Sequence, residues 1–263
     1  MHVANLHIYP VKSCYRLSPT RATVEPWGLA GDRRWMVVEP DGRFLTQRIR
    51  PELTRIRPAL ASGGLVLRAA DSPDLFVPAP SGEHVEVPIW RDRVKAARAG
   101  AAADAWVSRV LGGDYWLVYL DDPQTRRVNP EHGRDGDRVS FADGYPLLLA
   151  NNASLDALNG WLDEPVPMTR FRPNVVIDGT AEWAEDGWIG RRLRIGAVEF
   201  RVPKPCARCV LTTTDQETGE KGREPLRTLG RMRRFPDGLL FAVNLIPDGV
   251  GEIAVGDPVE VLP

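Results

Sequence analysis

Two thiols set three positions apart among cations are the residues in this chain best suited to chemistry. Cys206 and Cys209 lie in the run Pro203-Lys204-Pro205-Cys206-Ala207-Arg208-Cys209, which leads into the β-branched stretch Val210 to Thr214 and then Asp215. Four readings suit such a pair. Structural zinc needs four ligands, yet there is no second Cys-x-x-Cys, and the four histidines (His2, His7, His84, His132) show no ligand spacing. A thioredoxin-type dithiol needs the motif to open a helix, whereas a β-branched run favours strand. Two small buried hydrophobes would do no chemistry at all. The fourth reading is a single thiolate ligand for a soft metal, since Lys204 and Arg208 would draw a thiol pKa from about 8.5 toward the ~3.5 to 7.5 found beside cations.

The elements that position these thiols follow from composition and pattern. A chain of 263 residues with 43% apolar and 26% charged side chains is a folded globular protein with room for one large domain or two modest ones. Thirty-four Lys and Arg against 35 Asp and Glu leave a net charge of -1, so no whole-molecule field attracts nucleic acid, and any anion site must be local. Abundant Gly (24) and Pro (23) imply many turns and short strands. Three cysteines (Cys14 is the third) cannot form a disulfide framework or supply four thiolates to an iron–sulfur cluster. The reading is a reducing, cytoplasmic compartment. Val3, Leu6 and Ile8 alternate with polar residues before Pro10, which reads as a strand rather than a signal peptide. No run approaches the ~18 apolar residues of a membrane span.

Strands are predicted at Val3 to Val11, Trp35 to Glu39, Phe44 to Gln47, Leu65 to Arg68, His84 to Ile89 and Val94 to Ala97, separated by Pro and Gly turns. A helix over Ala101 to Leu111 ends at Gly112-Gly113, and a strand follows at Tyr115 to Leu120. The polar stretch Asp121 to Asp137 reads as a boundary, giving domains 1–120 and 124–263. Beyond it come a helix near Ala153 to Leu162, which Asn151 or Asn152 can cap, and strands at Asn174 to Ile177, Arg192 to Ile195, Val198 to Val202, Leu239 to Ile246 and Glu252 to Leu262. The whole is a β-rich α+β protein. Arg126-Arg127 and Arg231 to Arg234 read as solvated faces. Trp183 and Trp188 stand among acidic residues, read as a pocket wall or core edge, and make no nucleic-acid platform.

The order of several separated motifs is more specific than any one of them. Lys204 to Asp215 with Glu224-Pro225-Leu226-Arg227-Thr228-Leu229 resembles the MOSC (molybdenum cofactor sulfurase C-terminal) domain, in the subgroup of the mitochondrial amidoxime reducing component and the bacterial YcbX proteins. Tyr9 to Cys14 and Gly31 to Val37 are similar to the β-barrel domain that precedes MOSC in that subgroup. Phe141 to Pro146, Phe171 to Val176 and Val255 to Val259 extend the likeness along the whole chain.

The resemblance implies an N-terminal β-barrel-like domain followed by a MOSC β-barrel with a few helices. It also implies molybdenum held by the dithiolene of a pterin and by one protein thiolate, which matches Cys209; Cys206 is then a structural neighbour. Carried over motif by motif, Lys12, Ser13, Arg33 and Arg172 would meet the phosphate and pterin. Asp143, Gly144, Asn174, Ala207 and Arg208 would add polar or backbone contacts, and Asn244 one more. Here Phe241-Ala242-Val243-Asn244 replaces the family's Phe-Gly-Gln-Asn type of motif, so the Gln is absent. The activity implied is reduction of N-hydroxylated small molecules such as amidoximes and hydroxylamines, with Asp143 as a proton carrier if its surroundings raise its pKa. No appended ferredoxin domain is present, so electrons would come from a separate flavin reductase, ferredoxin-like or cytochrome-type protein. A cofactor carrier without turnover, or persulfide transfer on Cys209, are the other readings; neither nucleic acid nor a membrane is an expected partner.

Overall fold

The computed structural model describes residues 1–263. Period-two alternation builds its larger sheet. In the hairpin of Arg192–Ile195 and Val198–Arg201, Leu193, Ile195, Val198 and Phe200 are buried. Arg192 and Arg194 on the other face pair with Glu199 and Glu260. The sheet runs in the order His2–Leu6, Val175–Asp178, Leu147–Asn151, Gly238–Pro247, Val198–Arg201, Arg192–Ile195, Val259–Leu262. Only the Leu147–Asn151 and Val175–Asp178 pair is parallel. Backbone bonds from Val3 N to Asp257 O (2.9 Å) and from Val259 N to Met1 O (3.0 Å) tie the two ends together, so the sheet closes nearly into a barrel around a core of 20 buried apolar residues. Closure consumes the edges that would otherwise be exposed.

A second core lies under a four-stranded sheet (Trp35–Val38, Trp116–Tyr119, Asp92–Arg98, His84–Ile89) and a three-stranded one (Ala59–Ala61, Gly64–Ala69, Ser72–Pro78). Helix α1, Ala101–Leu111, lays Trp106, Val107 and Val110 on this core and ends at Gly112 in the left-handed conformation. The β-rich, two-barrel character read from the sequence is therefore present, with only three α-helices: α1, α2 at Asn152–Asn159 and α3 at Leu226–Met232. No helix is long and apolar enough to cross a membrane. Strands from the first 29 residues belong to the larger barrel: His2–Leu6 joins its sheet, Arg21–Glu25 pairs with Gly251–Ala254, and Val3, Leu6, Ala22, Val24 and Leu29 are part of its core.

Several local expectations differ from the structure. Phe44 to Gln47 makes one bridge to Val38 and no strand, since Gln47 is fully buried and spends its amide on other contacts. Glu252 to Leu262 is two strands, split where Gly256 takes φ +93° and the Asp257 carboxylate accepts from Ala254 N. Helix α2 is capped by the Asn151 side chain but stops at Asn159, and Trp161 stacks on Trp183 at 5.6 Å. Asp121 to Asp137 is no plain linker; Pro123, Arg126 and Val128 are buried in it.

His7, at the end of the first strand, is buried and bonded to Ser18 Oγ at 3.0 Å, and burial, with Arg16 nearby, lowers its pKa to about 4. Above pH 6.5 the imidazole is neutral whether folded or not. Between 6.5 and about 4 the unfolded chain takes up a proton that the folded chain refuses, so stability falls as pH falls. Urea unfolding at pH 7, 5.5 and 4 is expected to show wild type losing about 3 kcal/mol more than His7→Gln across that window.

Candidate functional site

A cleft of about 750 Å³ opens between the two barrels, lined by residues of both. All eleven residues named from the motifs line it: Lys12, Ser13, Arg33, Asp143, Gly144, Arg172, Asn174, Ala207, Arg208, Cys209 and Asn244. Nine Lys or Arg residues face it against two Asp, so a near-neutral protein concentrates its positive charge here.

The cysteine segment is held from below. Pro205–Ala207 pairs as a short strand with Gly238–Pro247, and Asn244 Nδ2 donates to Pro205 O at 3.1 Å. Cys209 then caps a 3-10 turn at Val210–Thr213. This corrects the strand expected from the β-branched run. The Thr212 and Thr213 hydroxyls donate to Cys209 O and Val210 O, which stabilises a helical turn instead. The cations are also distributed differently from the expectation. Arg208 Nη1 donates to Cys206 Sγ (2.9 Å), while Cys209 Sγ receives Arg48 Nε at 3.3 Å. The two sulfurs are thus held by different arginines and both thiols are free. Cys14 is fully buried, and burial raises its pKa to about 12, so it supplies no thiolate.

No sequence motif marks Arg48. Its Nη2 also donates to Asp143 Oδ2 (3.0 Å), whose other oxygen accepts from Lys12 Nζ at 2.5 Å. Partial desolvation opposes ionisation of the half-exposed Asp143, but Lys12 and Arg48 outweigh it and hold the carboxyl far below the ordinary range. The condition for Asp143 as a proton carrier is therefore not met; it is a fixed anion that orients two cations. Lys12 is buried, and burial lowers its pKa to about 8 despite Asp143.

Arg126 corrects a second expectation. Read as part of a solvated run, it is instead 3% exposed; its guanidinium donates to the carbonyls of Ser140, Ala142 and Asp143 and pairs with Asp92 at 2.9 Å. It fixes the backbone that carries Asp143. Arg233 is likewise buried, paired with Asp186 and packed over Trp183, while Trp188 sits in the barrel core; this tryptophan stretch is a core edge, outside the cleft lining.

Two further cations converge on Tyr9, whose ring centroid lies 4.4 Å from the Arg33 guanidinium and 4.0 Å from that of Arg172. Arg33 is oriented by Asp32 and Asn174, at 2.6 and 2.9 Å. Arg172 Nη1 donates to Cys14 O and Gln216 Oε1, and burial lowers its pKa only to about 10, so it stays charged. Ser13, Arg33 and Arg172 all have positive φ (64°, 45° and 54°), a strained conformation for non-glycine residues that collects at functional sites. The Ser13 carbonyl accepts from Gln47, which exchanges amide bonds with Gln216.

Two buried donors in this cleft, Arg172 Nη2 and Arg208 Nε, have no partner. Unpaired buried guanidinium nitrogens cost stability unless an acceptor arrives. A phosphate-bearing ligand supplies such an acceptor, and a cleft thiol beside a cation supplies a soft metal ligand, so the residues fit a phosphorylated pterin with its metal. Because Lys12 loses its proton above about pH 8, sulfate binding to the cofactor-free protein is expected to weaken by up to tenfold per pH unit from 8 to 9.5. Lys12→Arg should flatten that dependence. Isothermal titration at pH 7, 8, 9 and 9.5 checks it.

Comparison with known proteins agrees with this architecture. The MOSC N-terminal beta barrel domain matches residues 1–114 and the MOSC domain residues 136–260. Human mitochondrial amidoxime-reducing component 1 is 34% identical over 280 residues, covering 99% of this chain and 82% of the relative. Human mitochondrial amidoxime reducing component 2 is 33% identical, covering 98% and 82%. The molybdenum cofactor sulfurase of Anopheles gambiae is 34% identical over 92% of this chain, but over only 34% of its own length. With both domains in order and such identity across nearly the full length, the chain belongs to the family of MOSC proteins with an N-terminal MOSC β-barrel, alongside the amidoxime-reducing components.

Proposed function

We propose that this protein is a molybdenum-cofactor-dependent reductase of N-hydroxylated small molecules. The observation that carries the reading is the convergence in one cleft of a thiol, Cys209, whose cationic partner Arg48 reaches it from the opposite wall, with a clamp of buried cations that retains unsatisfied donors. The relatives named for amidoxime reduction and for a molybdenum cofactor sulfurase support it.

Cys209 is assigned as the protein ligand to the metal. Lys12, Ser13, Arg33 and Arg172 hold the phosphate and pterin, with Gly144, Asn174, Ala207, Arg208 and Asn244 shaping the seat. Molybdenum on a pterin dithiolene supplies the two-electron redox chemistry that an N–O bond requires. The overall conversion takes an amidoxime, two electrons and two protons to an amidine and water. Around it, Arg48 orients the Cys209 sulfur, Asp143 keeps Arg48 and Lys12 in place, and Lys12 is a cleft group able to exchange a proton near neutral pH. The units 1–120 and 124–263 each contribute one wall, so assembly of the clamp requires both.

Electrons come from a second protein, a flavin reductase, ferredoxin-like or cytochrome-type carrier. Three cysteines cannot hold a four-thiolate cluster, and the chain shows no glycine-rich dinucleotide fingerprint. Three unpaired thiols fit a reducing compartment, and we place the protein in the cytoplasm.

Protein from a molybdate-replete host is expected to carry molybdenum and an oxidisable fluorescent pterin, and to reduce benzamidoxime with dithionite-reduced viologen but not with NADH alone. Full loading without turnover would favour a cofactor carrier, and a mass gain of one sulfur on Cys209 would favour sulfur transfer. Cys209→Ser should abolish turnover while Cys206→Ser keeps most of it; equal loss in two folded variants would restore the dithiol reading. Arg172→Ala removes a charge-assisted contact of about 1.5–3 kcal/mol. It should lower cofactor retention by one to two orders of magnitude, measured as molybdenum content after dialysis.

A further inference from the structure

Trp90 sits where a tryptophan is sterically unwelcome. It takes the first of two loop positions in the hairpin that joins His84–Ile89 to Asp92–Arg98, with Ile89 paired to Asp92. Its φ is +54°, whereas Arg91 is not in the positive region, and hairpins of that sign pattern favour glycine at the first position. The same chain follows the preference elsewhere: in the Ile195–Val198 hairpin the corresponding residue is Gly196, at φ +56°. Burial does not offset the strain, because Trp90 is 56% exposed.

The indole is nonetheless held firmly. Phe44 meets it edge-on at 5.7 Å, and the Arg48 guanidinium lies 5.2 Å from its ring. Two residues on, at the start of the next strand, Asp92 is paired with the buried Arg126, the residue that also fixes the Asp143 backbone. Trp90 lines the cleft, and the Arg48 guanidinium that lies over the indole also donates to the Cys209 sulfur. A strained and largely exposed aromatic ring, fixed from several sides at the mouth of a reactive cleft, is preorganised for a ligand rather than for the core.

We propose that Trp90 determines specificity: it is the wall on which a planar aromatic substrate stacks while the N–O end of that substrate points toward Cys209. The proposal rests on the reductase reading above and names the substrate class within it, aromatic rather than aliphatic N-hydroxylated compounds. Offset stacking on an indole gives an aromatic ring an advantage that a small alkyl group does not receive.

The test compares cofactor-loaded wild type, Trp90→Gly and Trp90→Phe with benzamidoxime and acetamidoxime. In Trp90→Gly the ratio of kcat/KM for benzamidoxime over acetamidoxime is expected to fall about three- to tenfold, while Trp90→Phe keeps most of it. The melting temperature of Trp90→Gly should equal or exceed wild type, since glycine accepts the positive φ without strain. A lower melting temperature with equal loss on both substrates would show a residue serving the fold and overturn the proposal. Saturation-transfer NMR supplies a readout that needs no turnover: benzamidine ring protons should contact wild type and Trp90→Phe but not Trp90→Gly. If neither substrate is reduced yet that contact depends on Trp90, the wall stands and the reductase reading falls. If turnover proceeds with an unchanged ratio and no ring contact, the wall falls and the reductase reading stands.

Discussion

The Asp143 carboxylate, shared between Lys12 and Arg48, is the interaction on which the cleft depends. Nine cations around one cavity repel one another, and a charge buried there without a partner would be neutralised or expelled. Asp143 comes from the segment before the larger barrel's parallel strand, whereas Lys12 and Arg48 come from the opposite unit. One carboxylate therefore reduces the local repulsion and joins the two walls. Its side chain is about half exposed to the cleft, so the pair is best regarded as a positioning device, with a stabilising effect moderated by solvent.

Arg126 extends this logic by one layer. Three carbonyls of the Ser140 to Asp143 backbone accept from its guanidinium, so the loop that carries the anion is itself held by a buried cation. Asp92 completes that pairing from the tip of a hairpin in the other unit. Arg33 and Arg172 are restrained similarly, through Asn174 and through the amide pair Gln47 and Gln216. Positive φ at Ser13, Arg33 and Arg172 is the conformational cost of aiming donors into one space, sustained because each is over-determined by neighbours.

How much of this is legible in the sequence depends on the range of the interactions. The helix at Ala101–Leu111 and the strands His84–Ile89 and Arg192–Ile195 follow from local periodicity and have the expected bounds. The eleven motif residues meet in one cleft because linear motifs record which loops return to the site. Arg48, Arg126 and Trp90 escape such reading. Nothing in Thr46-Gln47-Arg48 or Arg126-Arg127 distinguishes a buried guanidinium from a solvated one, since the distinction lies in carbonyls and carboxylates distant in sequence. The Val210 to Thr214 run fails for a local reason, as two threonine hydroxyls that bond to carbonyls three residues back override a β-branched preference.

The division of the two cysteines between two arginines bears on why a Cys-x-x-Cys pair need not behave as a dithiol. Arg208 donates to Cys206 Sγ, and its second nitrogen, Nη2, is anchored on Phe171 O at 2.7 Å. Cys206 also packs partly against the apolar cluster containing Phe171 and Phe241, whose rings stack at 3.8 Å. Cys209 lies beyond the strand pairing, where the chain turns into the 3-10 helix, and its cationic partner comes from the other unit. A disulfide between them would have to displace both arginine contacts and leave two guanidinium groups with fewer acceptors in an already positive cleft. Electrostatics thus favour two separate thiols over a disulfide.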